Sequence, residues 1–184
     1  RTYPLGPLTE DEKRFYTWTL QSHIDLAKAV WLDYCECKMI DTIAREPLWR
    51  HLINYRCGTG HSVSFVGNVH EGPHALNSRN TTRMRPGMVV TDEPGVYETD
   101  LVGIRIENEL VCVHKADNQY GTFLGFEPLM FVPIATSPIL PGVLDKDEIA
   151  WLNDYHRQVF AKLAPHLNDE ERSWLAEKCA AIGC

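Results

Sequence analysis

The sequence predicts an α+β fold from three features. A helical pattern opens the chain, turns and short strands fill its middle, and helical spacing returns after Asp145. Helices and strands segregated in this way lack the regular alternation that builds a parallel βαβ sheet. At the start, residues 1–5 read as the end of a strand, and Gly6-Pro7 breaks it. Thr9-Glu10-Asp11-Glu12 is a capping box, in which a hydroxyl and a carboxylate three residues apart satisfy each other's backbone donors. Phe15, Trp18, Leu20, Ile24, Leu26 and Ala27 then mark an amphipathic helix to about Val30. A second helix is expected over 39–53, with Pro47 near its first turn or at a kink.

In the middle, Gly58 to Gly60 signals a turn, and Val63, Phe65 and Val69 suggest a strand or extended loop. Arg85-Pro86-Gly87 turns the chain into Met88-Val89-Val90-Thr91, a short buried strand ended by Glu93-Pro94-Gly95. Residues 103–113 alternate well enough for one half-buried strand, followed by a hairpin loop at 117–120. Asp145 with Glu148 forms a second capping box before Ile149, Leu152, Tyr155, Val159, Phe160 and Leu163. Pro165 stops that helix, and Asp169 opens a last short one. Residues 1–140 and a helical extension over 141–184 are expected to belong to one domain.

Composition narrows the function classes. The chain has 184 residues, 44% hydrophobic and 23% charged, enough for a packed core. Its net charge of -7, without a Lys or Arg run longer than a pair, argues against nucleic acid and anionic membranes. No apolar run reaches the ~18 residues of a membrane span. With no secretory leader in evidence, the six cysteines are expected as free thiols in a reducing cytoplasm.

Three separated motifs carry the chemistry. They are Gly58-Thr59-Gly60-His61 with Val69-His70-Glu71-Gly72-Pro73, then Asp92-Glu93-Pro94-Gly95-Val96-Tyr97, then Ile104-Arg105-Ile106-Glu107-Asn108. One imidazole and two carboxylates suit a borderline divalent metal such as Mn, Zn, Co or Fe(II). Glu93 stands at a strand end, where side chains of neighbouring strands can converge. Glu107 reads as lying inside an apolar strand, where a carboxylate is costly unless paired or metal-bound. Taken singly, each has a plainer reading: a loop histidine, a solvated turn glutamate, a same-face Arg105–Glu107 pair.

As an ordered set, these motifs resemble the pita-bread metallopeptidases, the group of methionine aminopeptidase, prolidase and aminopeptidase P, and most nearly the long cytosolic-type aminopeptidase P. The match runs through residues 57–61, 68–73, 86–98 and 103–108. It continues through Gly125-Phe126-Glu127-Pro128-Leu129, Val132-Pro133-Ile134 and Trp151-Leu152-Asn153 with Tyr155-His156. The resemblance implies a curved, antiparallel-rich sheet with flanking helices, lacking the N-terminal portion of the family domain. It implies His61, Glu93 and Glu107 as metal ligands, Glu93 also in proton transfer, and His70 on the substrate and tetrahedral intermediate. Arg105 and Tyr97 match supporting and pocket residues, and Cys57 stands at a substrate-facing position. The implied reaction is metal-dependent removal of the N-terminal residue from peptides with proline second. The family site holds two divalent metals, usually manganese, on five protein ligands. Two of those are aspartates that precede the matched segment, whose Thr-Asp-x-Thr-Arg-Thr run would close at Arg1-Thr2. At most one metal, Mn2+ or Zn2+/Co2+, is therefore expected on these residues, with a homodimer or a complementing N-terminal half as partner.

The sequence departs from the pattern at Cys57, where the family has histidine, and at Ser62 and Ser64, where it prefers glycine. The serines are expected to add bulk and to be strained at positive φ. Residues 31–37 also lack the family's Pro-Lys-Gly-Thr type loop. These departures keep open a second reading, a non-catalytic relative that binds a partner or peptide.

Overall fold

The computed structural model describes residues 1–183; Cys184, the last of the six expected thiols, lies outside them. The chain forms two compact units, one of residues 18–130, the other of residues 1–17 with those from 131 onward. The expected first helix is present as α1, Glu10–Ala27. Thr9 and Glu12 cap it reciprocally: Glu12 N–H donates to Thr9 Oγ1 and Thr9 N–H to Glu12 Oε2 (2.7 Å).

In the larger unit, strand β1 (Val30–Leu32) leads into helix α2 (Cys37–Trp49). The helix starts two residues earlier and ends four residues earlier than its periodicity suggests, and Pro47 falls in its last turn, not its first. Its end is a Schellman motif: Leu52 takes φ +59, its N–H returns to Trp49 O (3.0 Å), and Ile53 N–H returns to Leu48 O (3.2 Å). Glycine normally announces that geometry, so a leucine there hides the stop.

Six further strands follow: β2 (Gly60–His61), β3 (Ala75–Leu76), β4 (Val89–Asp92), β5 (Gly95–Glu98), β6 (Val102–Arg105) and β7 (Asn108–Asn118), with β8 (Gly121–Pro128) closing a hairpin on β7. The main sheet runs β1-β8-β7-β4, antiparallel throughout; β2 pairs with β3, and β5 with β6. The hairpin is tighter than expected, because β7 continues to Asn118 and only Gln119 and Tyr120 turn. Leu20, Ile24, Ile40, Leu48, Leu76, Val90, Leu110 and Leu124 are almost wholly buried and form this unit's core.

The strand expected over 103–113 is split. β6 ends at Arg105 and β7 begins at Asn108, so Glu107 sits in the break. The part before the break pairs with β5 and the part after it with β4. In both ladders the register is the same, Gly95 opposite Arg105 and Asp92 opposite Asn108. Carried through the gap, it sets Glu93 opposite Glu107. The bond from Ile106 N–H to Pro94 O (3.4 Å) is consistent with that.

In the other unit, residues 1–5 form no strand; the Arg1 guanidinium donates to Val132 O (3.0 Å) and Tyr155 Oη (2.7 Å) instead. Helix α3 (Lys146–Leu163) begins at the Asp145–Glu148 capping box. A 3-10 turn at Ala164–His166 carries Pro165, and α4 (Asp169–Lys178) starts from a third capping box, Asn168 with Glu171. Ile134, Leu152, Tyr155, Val159 and Leu175 are among its buried apolar residues, and Tyr155 stacks on Trp151 at 5.4 Å.

Candidate metal centre

The site grows from a close approach of two backbones. A Cβ placed on Gly60 would lie 1.7 Å from the carbonyl oxygen of Thr91, so only glycine permits β2 to press against β4 there. That contact delivers His61 beside Glu93. His61 N–H donates to Thr91 Oγ1 (2.9 Å), and Thr91 Oγ1 donates to Glu93 Oε1 (2.8 Å). The threonine hydroxyl thus ties the backbone of one residue to the carboxylate of the other. Glu93 N–H donates to Thr59 O (2.8 Å), which fixes the carboxylate's root to the same loop.

His61 Nδ1 lies 3.0 Å from Ser62 O, and Nε2 lies 3.0 Å from Glu93 Oε1. A carbonyl only accepts, so Nδ1 carries the proton in that bond. Nε2 then meets a carboxylate oxygen with its lone pair, unless a proton or a cation lies between them. A nitrogen and an oxygen donor facing each other in this way fit a divalent metal. Glu107 is half-buried at its place opposite Glu93, not sealed in a strand. Among the described residues, no group of three or more His, Cys, Asp or Glu side chains is gathered as a metal-binding cluster.

Arg105 closes the site on its other flank. Its Nη1 donates to Glu93 Oε2 and to Glu93 O (2.8 Å), its Nε donates to Tyr97 Oη (2.7 Å), and its Nη2 lies 3.7 Å from Cys57 Sγ. Burial disfavours its charge, but the Tyr97 hydroxyl and the Glu93 carboxylate outweigh burial and hold its pKa above the ordinary arginine value. Cys57 Sγ also points to Gly95 O (3.8 Å), so the cysteine sits beside the carboxylate's arginine. His70 is exposed on its loop with its ring 4.0 Å from that of His61, tilted by 54°. The structure therefore brings His61, Glu93, Arg105, Tyr97, Cys57 and His70 into one neighbourhood.

The strain expected at Ser62 and Ser64 is absent. Among the described non-glycine residues only Leu52 and Asp100 have positive φ. Ser62 is buried, its backbone bridged to Val90, and its carbonyl orients His61.

Sequence reasoning missed a buried polar layer. His23 Nδ1 lies 3.0 Å from Asp92 Oδ2, both side chains fully buried, and Asp92 stands opposite Asn108, also fully buried. Asp92 and Asn108 are the chain neighbours of Glu93 and Glu107. The one hint was a histidine amid the apolar stripe Leu20, Ile24.

The model of metallopeptidase family M24 matches residues 1–114, and that of the C-terminal region of the same peptidases matches residues 122–182. Aminopeptidase P1 of Lotus japonicus is 39% identical over 189 residues, covering 100% of this chain and 29% of its own length. Aminopeptidase P2 of Arabidopsis thaliana is 41% identical over 182 residues, covering 95% and 26%. This chain thus spans about 30% of the length of these relatives. The X-prolyl aminopeptidase of Caenorhabditis elegans, described as a cytosolic enzyme with a di-nuclear active site, superposes with a TM-score of 0.89 at 37% identity. The overlap is 96% of this chain and 30% of that one. The prolidase of Pyrococcus furiosus superposes with a TM-score of 0.59 at 27% identity, covering 70% and 35%. The pita-bread fold expected from the motifs is that of these neighbours, and the chain belongs to metallopeptidase family M24.

Proposed function

We propose that these residues serve a metal-dependent Xaa-Pro aminopeptidase, which removes the N-terminal residue from peptides with proline second. The observation that carries the reading is the facing pair, His61 Nε2 and Glu93 Oε1 at 3.0 Å, with His61 oriented through its other nitrogen. His61, Glu93 and Glu107 are the ligands this chain offers, and manganese, zinc or cobalt suits their mixed nitrogen and oxygen set. When bound, the metal supplies a water of lowered pKa and a Lewis acid for the peptide carbonyl. Glu93 is the carboxylate that would take and return a proton. Arg105 keeps one of its oxygens engaged, which sets the direction of the other. His70, exposed beside His61, would donate to the substrate carbonyl oxygen. Tyr97, half out in solvent, is assigned with Cys57 to substrate binding. The working protein is proposed to be cytoplasmic and dimeric, or completed by an N-terminal half that brings the two remaining aspartate ligands.

The test is metal-free purification followed by back-titration with Mn2+ and Zn2+. One metal per chain is expected, with affinity reduced at least tenfold in His61→Ala and in Glu93→Gln. Uptake unchanged in both variants overturns the ligand assignment. Proline-dependent cleavage is expected when this chain replaces its counterpart in the Caenorhabditis elegans enzyme. Cleavage in that chimera should be lost with His61→Ala; a chimera that still cleaves without His61 refutes the proposed role.

A further inference from the structure

Between Ile53 and Gly60 the chain runs without regular secondary structure, yet it must deliver His61 to Glu93 within hydrogen-bond distance. One ion pair on α2 gathers that segment. Arg45 Nε donates to Asp41 Oδ2 (2.7 Å), with the arginine 7% and the aspartate 1% exposed. The rest of the guanidinium reaches Asn54 Oδ1 (3.2 Å), Tyr55 O (2.9 Å) and Cys57 O (2.9 Å), and it lies 4.2 Å from the centre of the Tyr55 ring. The other aspartate oxygen accepts from Thr59 Oγ1, and Tyr55 Oη donates in turn to that threonine oxygen. Thr59 O then accepts the Glu93 N–H at 2.8 Å. A continuous set of bonds therefore runs from two residues of one helix turn to the backbone of Glu93, through Thr59, which stands two residues before His61.

We propose that Asp41 and Arg45 are positioning residues that set the His61–Glu93 geometry, an inference that rests on reading this pair as the working site. A buried ion pair whose remaining donors are spent on carbonyls of one segment contributes register more than stability. The planar fork makes this possible, because it presents several donors in fixed directions at once. Lysine at position 45 would keep the charge beside Asp41 and forfeit the grip on Tyr55 O and Cys57 O.

The experiment uses the metal-free chain, with two readouts: imidazole nitrogen resonances of His61, and amide hydrogen exchange at Thr59, His61 and Glu93. Arg45→Lys and Asp41→Asn are expected to keep the far-ultraviolet circular dichroism. Exchange at those amides should rise at least tenfold, and the His61 resonances should move away from the hydrogen-bonded pattern. Arg50→Lys is the control, since Arg50 pairs with Glu46 at the same spacing on the solvent side of α2. It should change neither readout. Thr59→Val, nearly isosteric, removes only the hydroxyl link and should give the same changes in smaller measure, which keeps the test open should Arg45→Lys fail to fold. Wild-type exchange and His61 resonances in Asp41→Asn and Thr59→Val overturn the proposal. Mn2+ titration of the same samples with His61→Ala reports separately on the metal reading, so either conclusion can fail alone.

Discussion

Nε2 of His61 lies 3.0 Å from Oε1 of Glu93, while the other oxygen of that carboxylate is held by Arg105. Each atom of the pair is oriented from behind: the imidazole by Ser62 O, the carboxylate by Thr91 Oγ1 and the guanidinium. Orientation by outer partners is what a metal ligand requires, since an unfixed ligand loses affinity to its own rotational freedom.

Gly60→Ala should break this arrangement at its narrowest point. The added methyl would meet Thr91 O and C, and backbone cannot yield as a flexible side chain can. A loss of about 1–3 kcal/mol is expected, the range for overpacked interiors. Urea denaturation checks the stability. Unaltered amide resonances at His61 and Thr91 in the variant would contradict the expected separation of β2 from β4.

Arg105 and Glu93 should be energetically coupled. Arg105→Lys keeps a cation but loses the fork shared by Tyr97 Oη, Glu93 O and Glu93 Oε2, so a loss of about 1–2 kcal/mol is expected. Combined with Glu93→Gln, the loss should fall short of additive by about 1 kcal/mol. Additive values in a double-mutant cycle would mean the two side chains act independently.

Stability should decline in mild acid, partly through His156. Burial first, and then the nearby Arg1 charge, pull its pKa from 6.5 to about 4. Its fully buried Nε2 accepts the Ile134 N–H at 3.1 Å. The fold favours the neutral ring, so its contribution is intact above pH 6.5. The contribution is lost as pH falls from 6.5 through about 4, up to about 3 kcal/mol at 1.36 kcal/mol per unit. His156→Gln retains an acceptor for Ile134 and should flatten this part of the pH profile. Equal slopes for the two proteins between pH 6.5 and 4 would remove His156 as the cause.

Asp145→Ala should unfasten the start of α3. It removes the acceptor of the Glu148 N–H (2.8 Å), and about 1 kcal/mol is expected from the loss of such a cap. Asp145→Asn, which keeps the acceptor, should lose much less. Thermal melts in which the alanine and asparagine variants coincide would show that the cap contributes nothing.

Much was legible because several signals are local. Thr9 with Glu12, and Asp145 with Glu148, announce helix starts through bonds that span only three residues. The apolar stripes of α1 and α3 and the turn before β4 follow from spacing alone. The ends of α2 and the break at Ile106-Glu107 were not legible for the opposite reason. Leu52 accepts a backbone conformation that its side chain does not advertise, and the split strand is interrupted opposite Pro94, which has no N–H to give the ladder. Ser62 carries no strain because its backbone is bridged to Val90, which no local pattern reveals.

By itself, the sequence determined the α+β order of elements and the family through its separated motifs, and it supplied the candidate ligands. These depend on residue type and near spacing. Tertiary structure alone decided the strand register that sets Glu93 opposite Glu107, that Arg105 engages Glu93, and that Arg45 grips the loop before His61. Such relations are set by strand register and by the close approach at Gly60, where residues 31 apart in the chain are pressed together. Contacts of that range arise only when the whole core closes.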